Sequence, residues 1–460
     1  MTIVKGLKLT AAVLVFGLAV SFGLAKSVPY WFAPTISNSP ELDITDPQLI
    51  AEGAYYAKVA DCVACHTAPG GRPFAGGLGM QTPLGAIYST NITPDPETGI
   101  GHYSYAEFER AVRRGIRADN APLYPAMPFV SYMIADNKEI EAMYAYFMSE
   151  VEPVKQTNQP TTIPWPASMR WPVALWHVAF AQPRQFEPDA SRTAEQNHGA
   201  YLVEGLAHCG ACHTPRGIGF QEVALSDDSS RQFLAGSVLE GWYAKSLRHE
   251  GVGLSTWSQE DIVEFLRTGR TDHTAAFGSM ADVVEHSSQY FRDEDLQAIA
   301  AYLKSLPARH GYTEDWLANE DTTTAQLRNG QFDSPGAIIY AQECAACHRM
   351  DGLGAPRVFP ALARNSIVFA EDPSSMIQVT IAGGYMADTE YDTMAFAMPG
   401  FAHLSNQDLA DVLNFVRNGW GNHGSHISVR DIARMRRVVD NAPQHYVPAI
   451  QASAQEQHHE

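Results

Sequence analysis

Three pentapeptides constrain this chain more than anything else in it. Cys62-Val63-Ala64-Cys65-His66, Cys209-Gly210-Ala211-Cys212-His213 and Cys344-Ala345-Ala346-Cys347-His348 all read C-x-x-C-H, the pattern of covalent haem c attachment. Two thiols at this spacing can form thioethers with the two vinyl groups of one porphyrin, and the adjacent His lies under the iron as an axial ligand. The chance of one accidental match in a chain of this length is ~10⁻³, so three accidents are negligible. A C-x-x-C pair can also be a redox dithiol or half of a zinc site. The first does not require His at the next position every time. The second needs four ligands, and these pairs lie over a hundred residues apart. All six cysteines fall in the motifs, leaving none for a structural disulfide. Cys62, Cys65, Cys209, Cys212, Cys344 and Cys347 are therefore read as holding three covalently bound haem c groups, with His66, His213 and His348 on the irons.

A length of 460 residues suggests about three domains, one for each motif. The formal charge of −19 argues against a nucleic-acid partner. It would suit a partner with a basic patch, although solubility alone accounts for it. At the N-terminus, Lys5 and Lys8 precede an apolar run from Leu9 to Ala25. That run lies between a long signal-peptide core and a short membrane span. Gly23 and Ala25 suit a signal peptidase, whereas Val28, Tyr30, Trp31 and Phe32 extend the hydrophobic stretch like an interfacial aromatic belt. Either reading sends the body of the chain outward, to the periplasmic side of the inner membrane.

The surroundings of the motifs repeat. Helical stretches precede each one, over 47–60, 195–207 and 334–342, with Gly53, Gly199 and Gly336 in matching places where a small residue permits close helix packing. Downstream come Pro73-Phe74-Ala75-Gly76, Gln232-Phe233-Leu234-Ala235-Gly236 and Val358-Phe359-Pro360-Ala361-Leu362. In the first two repeats, Ser104 and Ser258 each open an N-capped helix that closes near Gly115 and Gly269. Amphipathic helices end the repeats over 136–148, 292–305 and 405–417; Leu296, Ile299, Leu303 and Leu409, Val412, Val416 recur at three- and four-residue spacing. Stretches 152–190 and 311–332 read as linkers.

An electron carrier fills both axial positions of its iron, and Met as the sixth ligand raises the reduction potential. Each repeat has a Met shortly before its closing helix: Met127 in Met127-Pro128-Phe129, Met280 in Gly278-Ser279-Met280-Ala281, and Met398 in Met398-Pro399-Gly400-Phe401. Pro fixes the backbone beside Met127 and Met398, so a thioether can be held in a loop. Met280 lacks that Pro. Met133, Met394 and His273 are the nearest rivals. His102, His177, His249, His286 and His403 read as surface or satisfied structural residues.

These motifs and Met contexts resemble the triheme cytochrome c subunits of bacterial membrane-bound dehydrogenases. Further matching stretches are Asn91-Ile92-Thr93-Pro94-Asp95, Thr98-Gly99-Ile100-Gly101, Met169-Arg170-Trp171 and Phe415-Val416-Arg417-Asn418. The resemblance implies an all-α chain of three tandem class I cytochrome c-like domains after an N-terminal anchor or signal helix. The divisions are 1–34 (anchor or signal), 40–151 (first domain), 152–190 (linker), 191–310 (second), 311–332 (linker), 333–420 (third) and 421–460 (tail). In such folds a Pro carbonyl after the motif orients the proximal His, and Pro360 matches it; Pro73 lies near the corresponding block of the first repeat, and the second has no counterpart. The resemblance also implies a separate catalytic subunit carrying a quinone, flavin or molybdenum cofactor, with electrons passing on to ubiquinone or an oxidase.

Two other functions are compatible with the motifs alone. A multihaem peroxidase would need an open sixth position, most plausibly at the Met280 site. A terminal-oxidase cytochrome subunit would differ only in its partner. The apolar, Trp-rich segment from Trp165 to Phe180 is read as packing between domains or against membrane or partner. The basic stretch after Ser428-x-x-Asp431 is read as a solvated terminal helix.

Overall fold

Several helices begin where short polar side chains cap them, at Ser104, Asp136, Thr193, Ser258, Ser334 and Ser405. The computed structural model describes residues 42–82, 84–239, 241–309, 320–394 and 396–440, together with 17, 19, 20 and 23. The N-terminal hydrophobic run and residues 441–460 thus lie outside the described residues, apart from those four positions. Among the described residues no helix is long and apolar enough to cross a membrane.

The chain divides into two compact units. One comprises Met1–Ala57, Cys65–Glu187 and Ile218–Gln221; the other comprises Lys58–Ala64, Pro188–Gly217 and Glu222–Glu460. The first unit holds most of the first repeat, and the second holds nearly all of the other two.

In the first repeat, α1 (Pro47–Val59) leads to the attachment turn Cys62–Cys65, and α2 (Tyr105–Arg114) and α3 (Asn137–Ser149) follow. Ser104 and Asp136 form capping boxes with Glu107 and Glu139. The α2 helix stops at Gly115, whose φ of 63° is the left-handed conformation that ends a helix. After α3 the chain straps back across the repeat. Asn91 donates from Nδ2 to the Val154 carbonyl at 2.7 Å, and its backbone N–H donates to Asn158 Oδ1 at 2.6 Å. The supposed linker from 152 onward is therefore bound to the repeat it follows. Its later part forms α4 (Trp171–Phe180). Trp176 Nε1 donates to the Gly219 carbonyl at 2.7 Å, and the buried His177 bonds the Leu123 carbonyl through Nε2 at 3.0 Å.

In the second unit, α5 (Ala194–Glu204), α6 (Gln259–Thr268), α7 (Ser279–His286) and α8 (Asp293–Ser305) build the second repeat. The third has α9 (Thr323–Arg328), α10 (Pro335–Ile339), α11 (Ser374–Ala382), α12 (Asn406–Asn418) and α13 (Val429–Asp440). Leu327 of α9 is buried in the third core, so residues 323–328 are not a bare linker. Ile432 and Met435 of α13 enter that core too. The terminal helix is thus packed on one face rather than solvated all round, because these two apolar residues are three apart and share a side.

The matching glycines mark the common crossing of the repeats. A Cβ at Gly53 would lie 1.9 Å from the Ala142 carbonyl oxygen of α3, and one at Gly199 1.9 Å from that of Ala298 on α8. At Gly336 it would lie 2.2 Å from the Asp411 oxygen of α12. Each opening helix therefore touches the backbone of its closing helix, which only glycine permits. Leu296, Ile299 and Leu303 of α8 are buried as their spacing predicts, each contributing roughly 1.5–3 kcal/mol of apolar burial.

The expectation of an all-helical chain needs one correction. The described residues include three two-stranded antiparallel ribbons. These are β1 (Gly79–Thr82) with β2 (Gly85–Tyr88), β3 (Ser237–Leu239) with β4 (Trp242–Ala244), and β5 (Gly384–Tyr385) with β6 (Ala397–Met398). Strands of two to four residues are too short to show a period-2 pattern in sequence. Gly85 (φ 139°) and Gly241 (φ 83°) allow the first two to turn back.

Candidate functional site

Each attachment motif forms a short helical turn at the end of its repeat's opening helix: Cys62–Cys65, Gly210–His213 and Ala345–His348. In the third, the backbone between α10 and the motif widens into a π-helical turn over Tyr340–Cys344, a feature common at functional sites. No disulfide joins the six cysteines. Burial pushes the Cys209 and Cys344 thiols up to about 12, the opposite of the acidic thiol that a redox dithiol uses. Among the described residues, no group of three or more His, Cys, Asp or Glu could hold a bare metal ion.

The three histidines share one arrangement. His66 Nδ1 lies 2.6 Å from the Thr90 carbonyl, His213 Nδ1 2.7 Å from the Lys245 carbonyl, and His348 Nδ1 3.0 Å from the Pro360 carbonyl. A carbonyl only accepts, so Nδ1 carries the proton in each ring and Nε2 keeps its lone pair for a metal. Burial lowers the pKa of all three, that of His213 to about 4. A neutral imidazole with a fixed tautomer is what iron ligation requires, so these residues fit haem.

Pro360 has the role its position suggested. Pro73 does not; the first ring is held by Thr90 and the second by Lys245. Both follow the second strand of a ribbon, so the hairpins that sequence periodicity missed are what bring these carbonyls to the rings. A signal was present: Tyr88-Ser89-Thr90 and Tyr243-Ala244-Lys245 correspond across the repeats. The distance from His differs, 24 residues in one case and 32 in the other, so no fixed spacing reveals it. The loop between is held alike in both repeats. Gly76 and Gly236 donate to the His66 and His213 carbonyls, each at 2.7 Å.

The three methionines lie in different settings. Met127 sits in the turn before Phe129–Tyr132 and packs with Phe129, Met133 and Ala181. Met280 is the second residue of α7, not part of a loop, and packs against Ala276, Ala281, Val284 and Ala387. Met398 lies in β6, and it packs against the same core as Cys344. All three are half-buried. Of the rivals, Met133 is a buried core residue, while Met394 is 63% exposed.

A helix ending in C-x-x-C-H, with its His fixed through Nδ1 to a backbone carbonyl, defines a c-type cytochrome that binds haem c covalently. The cytochrome c family model matches residues 198–307 and 334–420. The chain is 48% identical over 401 residues to the cytochrome c subunit of a quinone alcohol dehydrogenase from Gluconacetobacter polyoxogenes, covering 85% of each chain. It is 46% identical to the gluconate 2-dehydrogenase cytochrome c subunit of Pantoea cypripedii, over 86% of this chain and 91% of that one. To the alcohol dehydrogenase cytochrome c subunit of Gluconobacter oxydans it is 46% identical, over 94% of this chain and 88% of the relative. The chain belongs to the family of cytochrome c subunits of bacterial dehydrogenases.

Proposed function

We propose that this chain is a triheme electron-transfer subunit, accepting electrons one at a time from a separate catalytic dehydrogenase and passing them to membrane ubiquinone or an oxidase. The observation that carries this reading is the shared geometry of His66, His213 and His348, each fixed through Nδ1 with Nε2 left for iron. Haem c, when bound, supplies iron that changes oxidation state by one electron with little change in ligation. The chain's own residues hold and insulate it. Cys62 and Cys65, Cys209 and Cys212, and Cys344 and Cys347 tether one ring per repeat. The Thr90, Lys245 and Pro360 carbonyls orient the proximal rings and raise their basicity. Met127, Met280 and Met398 would supply a thioether ligand in each repeat, and a metal so held would carry charge without binding substrate. Three small domains, over 40–151, 191–310 and 333–420, would each enclose one centre, and the hydrophobic N-terminus would keep the chain at the periplasmic face of the inner membrane.

The test is spectroscopic and biochemical. Pyridine haemochrome analysis of the purified chain should give three covalent haems, all low-spin and unreactive toward carbon monoxide. A large dehydrogenase subunit should co-purify from solubilised membranes. A stable high-spin centre that binds carbon monoxide or turns over peroxide would overturn the reading.

A further inference from the structure

The second and third repeats, both within the second unit, are bonded to each other through the very segments that orient their histidines. Lys245, whose carbonyl accepts from His213, extends its side chain into the third repeat, where Nζ donates to Ser366 Oγ at 2.8 Å. In the other direction, the Ala361 N–H donates to the His273 carbonyl of the second repeat at 3.0 Å. Ala361 directly follows Pro360, the acceptor for His348. Asn365 Nδ2 braces the Ala361 carbonyl at 2.9 Å. Beside these links, Tyr243 N–H donates to Ser375 Oγ at 2.7 Å, which in turn donates to the Tyr243 carbonyl at 3.1 Å. A continuous path of covalent and hydrogen bonds thus runs from the His213 ring through Lys245 and the 360–366 loop to the His348 ring.

Lys245 is unusual on this path because it is a cation in the position that Thr90 occupies in the first repeat and Pro360 in the third. Its Nζ lies 4.8 Å from the centre of the Trp257 ring, and Ser366, its hydrogen-bond partner, is itself buried. A charge so placed stands one side-chain length from the carbonyl that holds His213, in surroundings where water screens little.

We propose that Lys245 is a positioning residue shared by the second and third haem sites: its carbonyl fixes the His213 ring, and its ammonium, held by Ser366, sets the reduction potential of the second centre. The proposal rests on the reading of Cys209–His213 as a haem site. A positive charge there opposes the oxidised iron and so raises the potential, and its hold on Ser366 makes that potential depend on the third repeat.

The experiment is a spectroelectrochemical titration of the haem-loaded full chain, in mildly acidic buffer, for the wild type and for Lys245→Met, Lys245→Arg and Ser366→Ala. Lys245→Met should make one of three centres easier to oxidise by about tenfold, equivalent to about 59 mV for a one-electron couple. Lys245→Arg should restore most of the shift, and Ser366→Ala, which frees the ammonium without removing it, should give a smaller change in the same direction. If Lys245→Met fails to load haem, Ser366→Ala alone decides. Unchanged potentials in fully loaded variants overturn this proposal and leave the electron-transfer reading intact. A wild-type chain without haem at the second motif would remove both.

Discussion

Asp61 precedes the first attachment cysteine and is 8% exposed, with Oδ1 buried and without a hydrogen-bond partner. Burial, and secondarily the nearby Asp282, hold its carboxyl well above the ordinary value of 3.8. The folded chain therefore keeps a proton that the unfolded chain releases. Its contribution to stability is complete below pH 3.8 and is lost as pH rises through the folded-state value. Asn tolerates the positive φ of 51° at this position. Asp61→Asn should accordingly raise the thermal midpoint in neutral and alkaline buffer, by about 1–3 kcal/mol of stability, and converge with wild type in acid. Thermal melts across pH check this, and parallel curves would sink it. At the same scale, Met398→Leu removes the sulfur but keeps the bulk. It should open one centre in three to carbon monoxide, seen as a Soret shift of about one third of the haem, with little loss of fold because Leu and Met are similar in volume.

Among the elements, the helix pair that frames each motif depends on a backbone contact rather than on side chains. Gly199→Ala would place a methyl 1.9 Å from the Ala298 carbonyl oxygen and 2.8 Å from the Tyr302 Cβ. Neither can move without shifting α8. The cost should reach at least about 1–3 kcal/mol, the range for overpacking, and spectral perturbation should be confined to the second centre. Equal perturbation of all three bands would show that the repeats do not fold as separate frames. These glycines were legible from sequence because they recur in register. The ribbons were not legible, although the segments that leave them carry two of the three carbonyls on which the histidines depend. Their strands are held by local turns and by neighbours distant in sequence. The Thr162 N–H, for example, donates to the Ala86 carbonyl at 3.0 Å.

For the molecule as a whole, the basic and apolar N-terminus predicts where the chain resides. Replacing residues 1–34 with a cleavable export signal should release haem-loaded protein into the periplasmic fraction while its absorption spectrum stays unchanged. Retention in washed membranes would point to another surface as the anchor. The relatives are named as cytochrome c subunits of an alcohol dehydrogenase and of a gluconate 2-dehydrogenase, and this chain covers 85% and 91% of their lengths.

What the chain determines by itself is its chemistry. Covalent attachment needs two cysteines and a histidine within five consecutive positions, so local sequence specifies it completely. The closing helices are likewise marked by periodicity, and two of the three also by a side-chain cap at Asp136 or Ser405, signals that span a few residues. Only the tertiary structure decided which atoms hold the ligands. The Thr90, Lys245 and Pro360 carbonyls are backbone groups common to every residue, and a backbone acceptor leaves no mark in side-chain identity. The Lys245–Ser366 bond, which joins the second repeat to the third, closes over 121 residues. Contacts of that range depend on how whole layers pack, which no local pattern records.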